Sequence, residues 1–208
     1  MIKYDLRISF TDAQLEAIYA TNSNVIVAKP TEDSEANVAW QVFKPLQSNS
    51  LTWEEQYGIY VSTTSAASGA RLEQLSSVPV GAAPDKLYTL LPSGVISGPA
   101  EGGAPDAFAL QNKYQVNPYM TVGLYQNATV NGVDILGNAL SAAPVLEAST
   151  AIMTPFTTVY VWLQSRIESN TIVTTVASPM TELKFGGGVD TIQTSYDTTT
   201  GKFLINQG

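Results

Sequence analysis

Short runs of β-branched and aromatic residues, each ended by glycine, proline or asparagine, recur along most of this chain of 208 residues. Such runs are typical of strands, because these side chains pack well on a pleated surface. Many short strands separated by turns indicate a sandwich or a barrel. We therefore predict an all-β fold, an antiparallel β-sandwich of about 12 strands, with residues 1–208 forming a single domain.

The N-terminal residues predict one strand followed by one short helix. Apolar side chains alternate with polar ones at the start of the chain, at Ile2, Tyr4, Leu6, Ile8 and Phe10. This period of two is typical of a half-buried strand. Thr11 and Gln14 then have the spacing of a capping box, and Leu15, Ile18 and Tyr19 follow at helical spacing. We predict a helix near residues 11–21 and no other.

Glycine and proline predict where the chain turns. Asn131 and Gly132 supply the positive φ angles of a type I′ hairpin turn, and residues 197–201 form a longer hairpin loop that ends in glycine. Between residues 78 and 106 glycine and proline are dense, which predicts a long loop region. A short strand at residues 87–91 interrupts this region.

Two segments of the chain resemble each other. Residues 57–60 read Tyr-Gly-Ile-Tyr and residues 122–125 read Val-Gly-Leu-Tyr. A glycine inside a strand marks a bulge or a close approach of another chain segment, which we expect at Gly58 and Gly123. Chance similarity between β-rich segments is one interpretation. The other is that the segments belong to two related halves of a sandwich that pack face to face.

The chain contains no histidine and no cysteine. Serine-histidine-aspartate triads, cysteine nucleophiles, disulfides and the usual zinc sites are therefore excluded. The remaining catalytic routes use carboxylates, lysine, tyrosine or metals with oxygen ligands. This absence makes catalysis a less attractive interpretation than binding or assembly.

Glu54 and Glu55 are the carboxylates that fit glycoside hydrolysis best, because aromatic residues flank them. That reaction needs two carboxyl groups about 5–10 Å apart around one site. Neighbouring residues on a strand point to opposite faces, so these two glutamates are not expected to share a site. We predict no catalytic residues.

An acidic loop provides the candidate metal ligands. Glu32, Asp33 and Glu35 offer the oxygen ligands that calcium prefers. The loop lacks the glycine at the sixth position of an EF-hand loop, so we expect a solvated loop and no metal site there. We also expect no cofactor.

The net charge of −8 arises from a chain in which only 13% of the residues are charged. Nucleic acids are bound largely through lysine and arginine, so a nucleic-acid partner is not expected. The 18 serines and 22 threonines must provide much of the polar surface instead.

Five tyrosines near glycine, asparagine or proline are the candidate binding residues. Tyrosine buries a large area while its hydroxyl stays in water, which suits interfaces and sugar-binding platforms. If the loops that carry these tyrosines meet at one end of the sandwich, the side chains form a single surface. They are Tyr57, Tyr60, Tyr114, Tyr119 and Tyr125.

These observations favour a non-enzymatic interaction protein that associates with itself, as a structural β-sandwich in homo-oligomers or larger assemblies. A lectin-like or pore-forming toxin module that binds glycans or membranes is the first alternative. A carboxylate-dependent glycoside hydrolase is the second. The first residues lack the pattern of a signal peptide, so we expect cytoplasmic synthesis, with non-classical release left open.

Overall fold

The computed structural model describes residues 2–31, 37–176 and 178–206. Nearly all of its regular structure is strand, with one helix among the described residues. In chain order the elements are β1 (Lys3–Ser9), α1 (Asp12–Ala20), β2 (Ser23–Ala28), β3 (Val38–Ala39), β4 (Gln41–Phe43), β5 (Ser48–Glu54), β6 (Gly58–Ser62), β7 (Ser76–Val78), β8 (Leu87–Leu90), β9 (Ile96–Ala100), β10 (Phe108–Asn112), β11 (Tyr119–Val130), β12 (Val133–Ala139), β13 (Ala143–Leu146), β14 (Thr150–Met153), β15 (Thr158–Ser165), β16 (Thr171–Ile172), β17 (Thr181–Lys184), β18 (Thr191–Asp197) and β19 (Lys202–Ile205).

The strands form a large sheet that packs against two smaller ones. The large sheet has nine strands in the order β19-β18-β1-β5-β11-β6-β7, and β12 and β13 also pair with β11. These two smaller sheets have four strands each, in the orders β14-β10-β8-β9 and β17-β15-β2-β4, and β16 pairs with β3 in a further two-stranded sheet. Buried side chains from the three larger sheets, including Leu6, Val27 and Leu90, form one main core. The predicted all-β, sandwich-like fold is confirmed.

Two of the ladders are parallel, namely β1 with β18 and β8 with β10, whereas the other named pairs are antiparallel. Hydrophobic alternation indicates which face of a strand is buried, but it does not predict whether the neighbouring strand is parallel or antiparallel. The strand number also exceeds the predicted value of about 12, because strands of two to four residues are too short for a period to be visible.

The N-terminal helix forms as its capping box predicts. The Thr11 backbone N–H donates to Gln14 Oε1 at 2.9 Å, and the Gln14 N–H donates to Thr11 Oγ1 at 3.3 Å. These two bonds satisfy donors that the first helical turn leaves without an intrahelical partner. Leu15 and Ile18 are buried, so the apolar face of the helix contributes to the main core.

The two predicted hairpin turns are also present. Asn131 and Gly132 have φ angles of 50° and 81°, as a type I′ turn requires, and they join β11 to β12. Gly201 closes the β18–β19 loop, where its N–H donates to the Asp197 carbonyl oxygen at 2.9 Å.

The predicted loop region at residues 78–106 contains two strands. The expected strand at residues 87–91 corresponds to β8, and β9 pairs with it although β9 contains Gly98 and Pro99. A strand at the edge of a sheet needs hydrogen-bond donors on one side only, so proline is tolerated there. Since β9 is the last strand of its sheet, glycine and proline do not prevent it from forming.

The two similar segments lie side by side in one sheet. In the antiparallel ladder of β6 with β11, Gly58 is opposite Tyr125 and Gly123 is opposite Tyr60. A Cβ atom at Gly58 would lie 2.2 Å from the Tyr125 ring, and one at Gly123 would lie 1.9 Å from the Ser141 carbonyl oxygen. The expected close approach is present at both glycines. The segments do not belong to two sheets packed face to face.

Substitution of either glycine by alanine is expected to destabilise the fold. At Gly123 the obstacle is backbone, which cannot move without disturbing the sheet, whereas at Gly58 the nearest obstacle is a side-chain ring. We expect Gly123→Ala to lower the free energy of unfolding by about 3 kcal/mol or more and Gly58→Ala to lower it by less. Urea denaturation measures both values. Equal stability of Gly123→Ala and the parent protein would contradict the packing described here.

Candidate functional site

The five candidate tyrosines are divided between two buried clusters and the surface. Tyr60 and Tyr125 are buried together in a second cluster, on the face of the large sheet opposite the main core, and Tyr57 is buried in the main core. Tyr114 packs against the main core with part of its surface exposed. The Tyr119 hydroxyl donates to Ser65 at 3.3 Å in an exposed position. A role of these residues in binding stays a prediction.

The two neighbouring glutamates occupy different environments. Glu54 ends β5 in an exposed position, and Glu55 is partly buried, where Tyr4 donates a 3.2 Å hydrogen bond to its Oε2. The acidic residues Glu32, Asp33 and Glu35 lie outside the described residues. Within the described part of the chain, no three acidic residues are grouped closely enough to hold a metal ion.

A buried lysine is the most unusual group near the centre of the fold. Lys29 follows β2 directly and continues its alternation, so its side chain points to the same side as Val25 and Val27, into the main core. Only 2% of the residue is exposed. Lysine is almost never fully buried without a partner, because the ammonium group loses its hydration.

Three aromatic rings surround the Lys29 ammonium group. Nζ lies 5.3 Å from the ring centroid of Trp40, 5.4 Å from that of Trp53 and 5.5 Å from that of Tyr57. Each distance is within the range of a cation–π interaction, in which the negative face of a ring attracts the cation. We call Lys29 and these three residues the lysine cage.

The cage lacks a direct hydrogen bond to the lysine. No atom of the described residues accepts a hydrogen bond from Nζ. Burial lowers the pKa of Lys29 to about 7, and the negative charge of Glu55 opposes this effect. Burial also raises the pKa of the Tyr57 hydroxyl, and the charge of Glu55 adds to that rise. Lys29 therefore changes its charge near neutral pH while Tyr57 remains protonated.

A hydrogen bond holds the Trp40 ring of the lysine cage in place, whereas the Trp53 indole N–H is buried with no acceptor among the described residues. The Trp40 indole N–H donates to the Gln126 carbonyl oxygen at 3.2 Å, and Gln126 Nε2 donates to the Glu54 carbonyl oxygen at 2.6 Å. The rings of Trp40 and Trp53 meet edge to face with their centroids 5.6 Å apart. Gln126, which is distant in sequence, and the ring of Trp53 thus help to position Trp40.

A cleft of about 410 Å³ opens on the protein surface next to Lys29. It exists because β13 and β14, which only residues 147–149 connect, pair with different sheets. β13 pairs with β11 and β14 pairs with β10, so the two strands diverge from their connection instead of forming a hairpin. Lys29 is part of the cleft lining, together with Ala143 and Ile152.

The sequence patterns predict neither the lysine cage nor the cleft. The alternation of β2 places residues 25, 27 and 29 on one face, and this was the signal available for Lys29. Nothing local indicates that aromatic rings from three other segments surround it. The cleft depends on which sheets β13 and β14 join. Sequence patterns do not predict which strands these two pair with.

Comparison of the chain with protein-family models, with curated proteins and with solved structures finds no significant match to any of them. The described residues contain no helix with the length and apolar character that a bilayer-spanning segment needs.

Replacement of Lys29 by methionine tests the electrostatics of the cage. The pKa of Lys29 is about 7 in the folded protein and near 10.5 when the side chain is free. Between these values the unfolded chain binds more protons, so the free energy of unfolding should increase with pH. From pH 7.5 to 9 we expect Lys29 to contribute an increase of about 2 kcal/mol, which Lys29→Met removes.

Chemical denaturation at several pH values measures this difference. Lys113→Met, at an exposed lysine, is the matched control and should keep the pH dependence of the parent protein. If Lys29→Met and the parent protein show parallel pH profiles, Lys29 does not lose its charge as described.

Proposed function

We propose that this protein is a non-catalytic β-sandwich that associates with a second copy of itself through the open edge of β14. The observation that carries the proposal is this uncharged edge, which remains accessible because β13 diverges from it. No other strand of the described residues hydrogen-bonds to the outer side of β14. An open strand edge of this kind is a template for pairing with another chain.

On its outer side, β14 has backbone hydrogen-bonding groups that pair with no other strand of the described residues. The Asn112 N–H donates to the Ser149 carbonyl oxygen, which sets the alternation of the ladder with β10. Ala151 and Met153 therefore direct their backbone groups to β10, while Thr150 and Ile152 direct theirs outward. The Ile152 side chain is 58% exposed and would lose this exposure in a pair of copies.

The charge distribution supports a second copy as the partner. Each copy carries a net charge of −8, so two copies repel each other overall. This repulsion is weakest where the facing surfaces lack charged residues. Between Asp134 and Arg166 the sequence contains a single charged residue, Glu147. β14 contains none, and charged residues are what natural sheets use to prevent pairing at an edge.

Two copies of β14 can pair antiparallel around a two-fold axis. In such an arrangement each copy presents the same surface to the other, which is the commonest symmetry of soluble oligomers. The four-stranded sheets of the two copies would then continue into each other. The exposed Ile152 side chain of each copy would then be covered by the other copy. Burial of this apolar surface favours the pair.

A charge placed on this edge should prevent association. We expect Ile152→Lys to be monomeric under conditions in which the parent protein associates, because lysine on an edge strand disfavours pairing. Ile205→Lys is the matched control, since Ile205 is also an isoleucine on an edge strand and is 57% exposed. Size-exclusion chromatography with light scattering, over a series of concentrations, measures the mass.

The result expected is a mass above the 22.2 kDa of one chain for the parent protein and for Ile205→Lys, and 22.2 kDa for Ile152→Lys. A parent protein that keeps the single-chain mass up to its solubility limit would overturn the proposal. Association that survives Ile152→Lys and is lost in Ile205→Lys would assign the interface to β19 instead.

A further inference from the structure

We propose that a polar cleft near the start of β2 and the end of β15 binds a carboxylated sugar, with the Arg166 guanidinium group holding the carboxylate. We call it the arginine cleft, and its lining includes Asn22, Asn24, Gln164 and Arg166. No residue of β14 lines it, so the site is separate from the proposed association. The observations that carry the proposal are an arginine without an anionic partner, the strained backbone of this arginine, and neighbouring carboxamides with free hydrogen-bonding groups.

The arginine cleft is preformed in the fold. Its volume of about 580 Å³ lies within the range of roughly 300–1,000 Å³ found for small-molecule sites. One wall comes from the segment 68–71 and another from β16, and backbone hydrogen bonds join them. The Gly69 N–H donates to the Ile172 carbonyl oxygen at 2.8 Å, and the Ile172 N–H donates to the Ala70 carbonyl oxygen at 2.9 Å. These walls are therefore held together before any ligand binds.

Two carboxamide side chains lie next to each other in the arginine cleft. Asn24 of β2 is directly opposite Gln164 of β15, so their side chains share one face of the sheet. The Trp162 indole N–H donates to Gln164 Oε1 at 2.7 Å, which orients this carboxamide. Within the described part of the chain, nothing accepts a hydrogen bond from Gln164 Nε2, and the Asn24 side chain has no partner. Both groups can therefore bond sugar hydroxyls, which donate and accept hydrogen bonds.

Arg166 gives the arginine cleft an uncompensated positive charge. Arg71 and Glu168 also line the cleft, and Arg71 Nη1 lies 2.9 Å from Glu168 Oε2, so these two charges offset each other. Arg166 forms no ion pair with any described residue. Its planar guanidinium group matches a carboxylate through two parallel hydrogen bonds. In a chain with a net charge of −8, the cleft is thus a local site for an anion.

A carboxylate fits this charge better than a phosphate group does. A carboxylate carries one negative charge, which Arg166 alone can balance. A phosphate monoester carries nearly two negative charges at neutral pH, and the second would remain unbalanced in a cleft that already contains Glu168. The ligand class that the charges favour is therefore a sugar acid.

The backbone of Arg166 indicates that its side chain has a role beyond the fold. Its φ angle is 61°, in the left-handed region that a Cβ atom disfavours and that glycine adopts without steric cost. Strained residues of this kind cluster at active sites and ligand-binding sites. An arginine at this position is costly for the fold, and binding of an anion accounts for that cost.

The arginine and the carboxamides are close enough to hold one sugar ring. Arg166 is two residues beyond Gln164, so their Cα atoms are at most about 7 Å apart. Asn24 is the cross-strand neighbour of Gln164. With its carboxylate on Arg166, a sugar acid brings its ring hydroxyls within reach of both carboxamides.

Ligand-observed NMR titration tests the proposal with glucuronate, galacturonate and N-acetylneuraminate, and with glucose as a neutral sugar. We expect at least one of the acids to bind with a Kd of about 1 mM or below. Glucose should bind at least about tenfold more weakly than the best acid, because it lacks the carboxylate that pairs with Arg166. Added sodium chloride should weaken the binding of the acid, since salt screens the charges of an exposed pair.

Arg166→Gly separates a binding role from a structural one. It should lower the affinity for the acid at least about tenfold, because the cleft then has no unpaired guanidinium group. Its melting temperature should equal or exceed that of the parent protein, since glycine relieves the strain. Arg166→Lys keeps the charge without the planar fork and should bind with intermediate affinity. Arg7→Ala is the matched control, because Arg7 pairs with Asp5 outside the cleft, and it should bind like the parent protein.

Three outcomes would each overturn the proposal. They are a parent protein that binds none of the acids, equal affinities for the best acid and for glucose, and an affinity that Arg166→Gly does not lower. An equal loss in Arg7→Ala and Arg166→Gly would also overturn it, because binding would then follow the net charge of the protein. Ile152→Lys, which tests the association, should bind the acid like the parent protein, so the two proposals can fail separately.

Discussion

The hydrogen bonding of one long strand underlies most of this structure. β11 has 12 residues and pairs with β5, β6, β12 and β13. A buried strand has to satisfy its backbone groups on both sides, and β11 does so with four partners. Close packing around its ladder with β6 requires glycine at positions 58 and 123, where a Cβ atom would meet the Tyr125 ring and the Ser141 carbonyl oxygen, respectively. Its pairing with β13 draws that strand away from β14.

The divergence of β13 and β14 shapes the surface around them. Because these strands join different sheets, a cleft forms between them, and no strand in the described part of the chain covers the outer side of β14. The edge offers backbone groups to another chain, and the cleft is lined mostly by apolar side chains together with Lys29. A single topological choice thus produces both an open strand edge and an apolar cleft.

The lysine cage shows two opposing electrostatic effects at one position. Burial removes the hydration of the ammonium group, which is costly, while three aromatic rings and Glu55 attract the cation. The lowered pKa of Lys29 indicates that burial has the larger effect. In a chain without histidine, this lysine is a group that changes its charge near neutral pH. A methionine would fill the same space without this property.

Local patterns were sufficient for much of the fold. The alternation of the first residues predicts β1, the capping box predicts α1, and Asn131 with Gly132 predicts a hairpin, because each depends on residues that are neighbours in the chain. The all-β, sandwich-like class follows from the same kind of signal. The very short strands were not predictable, since two or three residues show no period.

The sequence by itself therefore determined the fold class, the helix, the main turns and the exclusion of histidine and cysteine chemistry. Only the tertiary structure decided that β1 lies parallel to β18, that β13 and β14 separate, and that Lys29 meets Trp40, Trp53 and Tyr57. Each of these depends on segments far apart in the chain, whose contacts are set by how whole sheets pack. The burial of Lys29 and its lowered pKa depend on all of these neighbours together. No local pattern around residue 29 therefore predicts them.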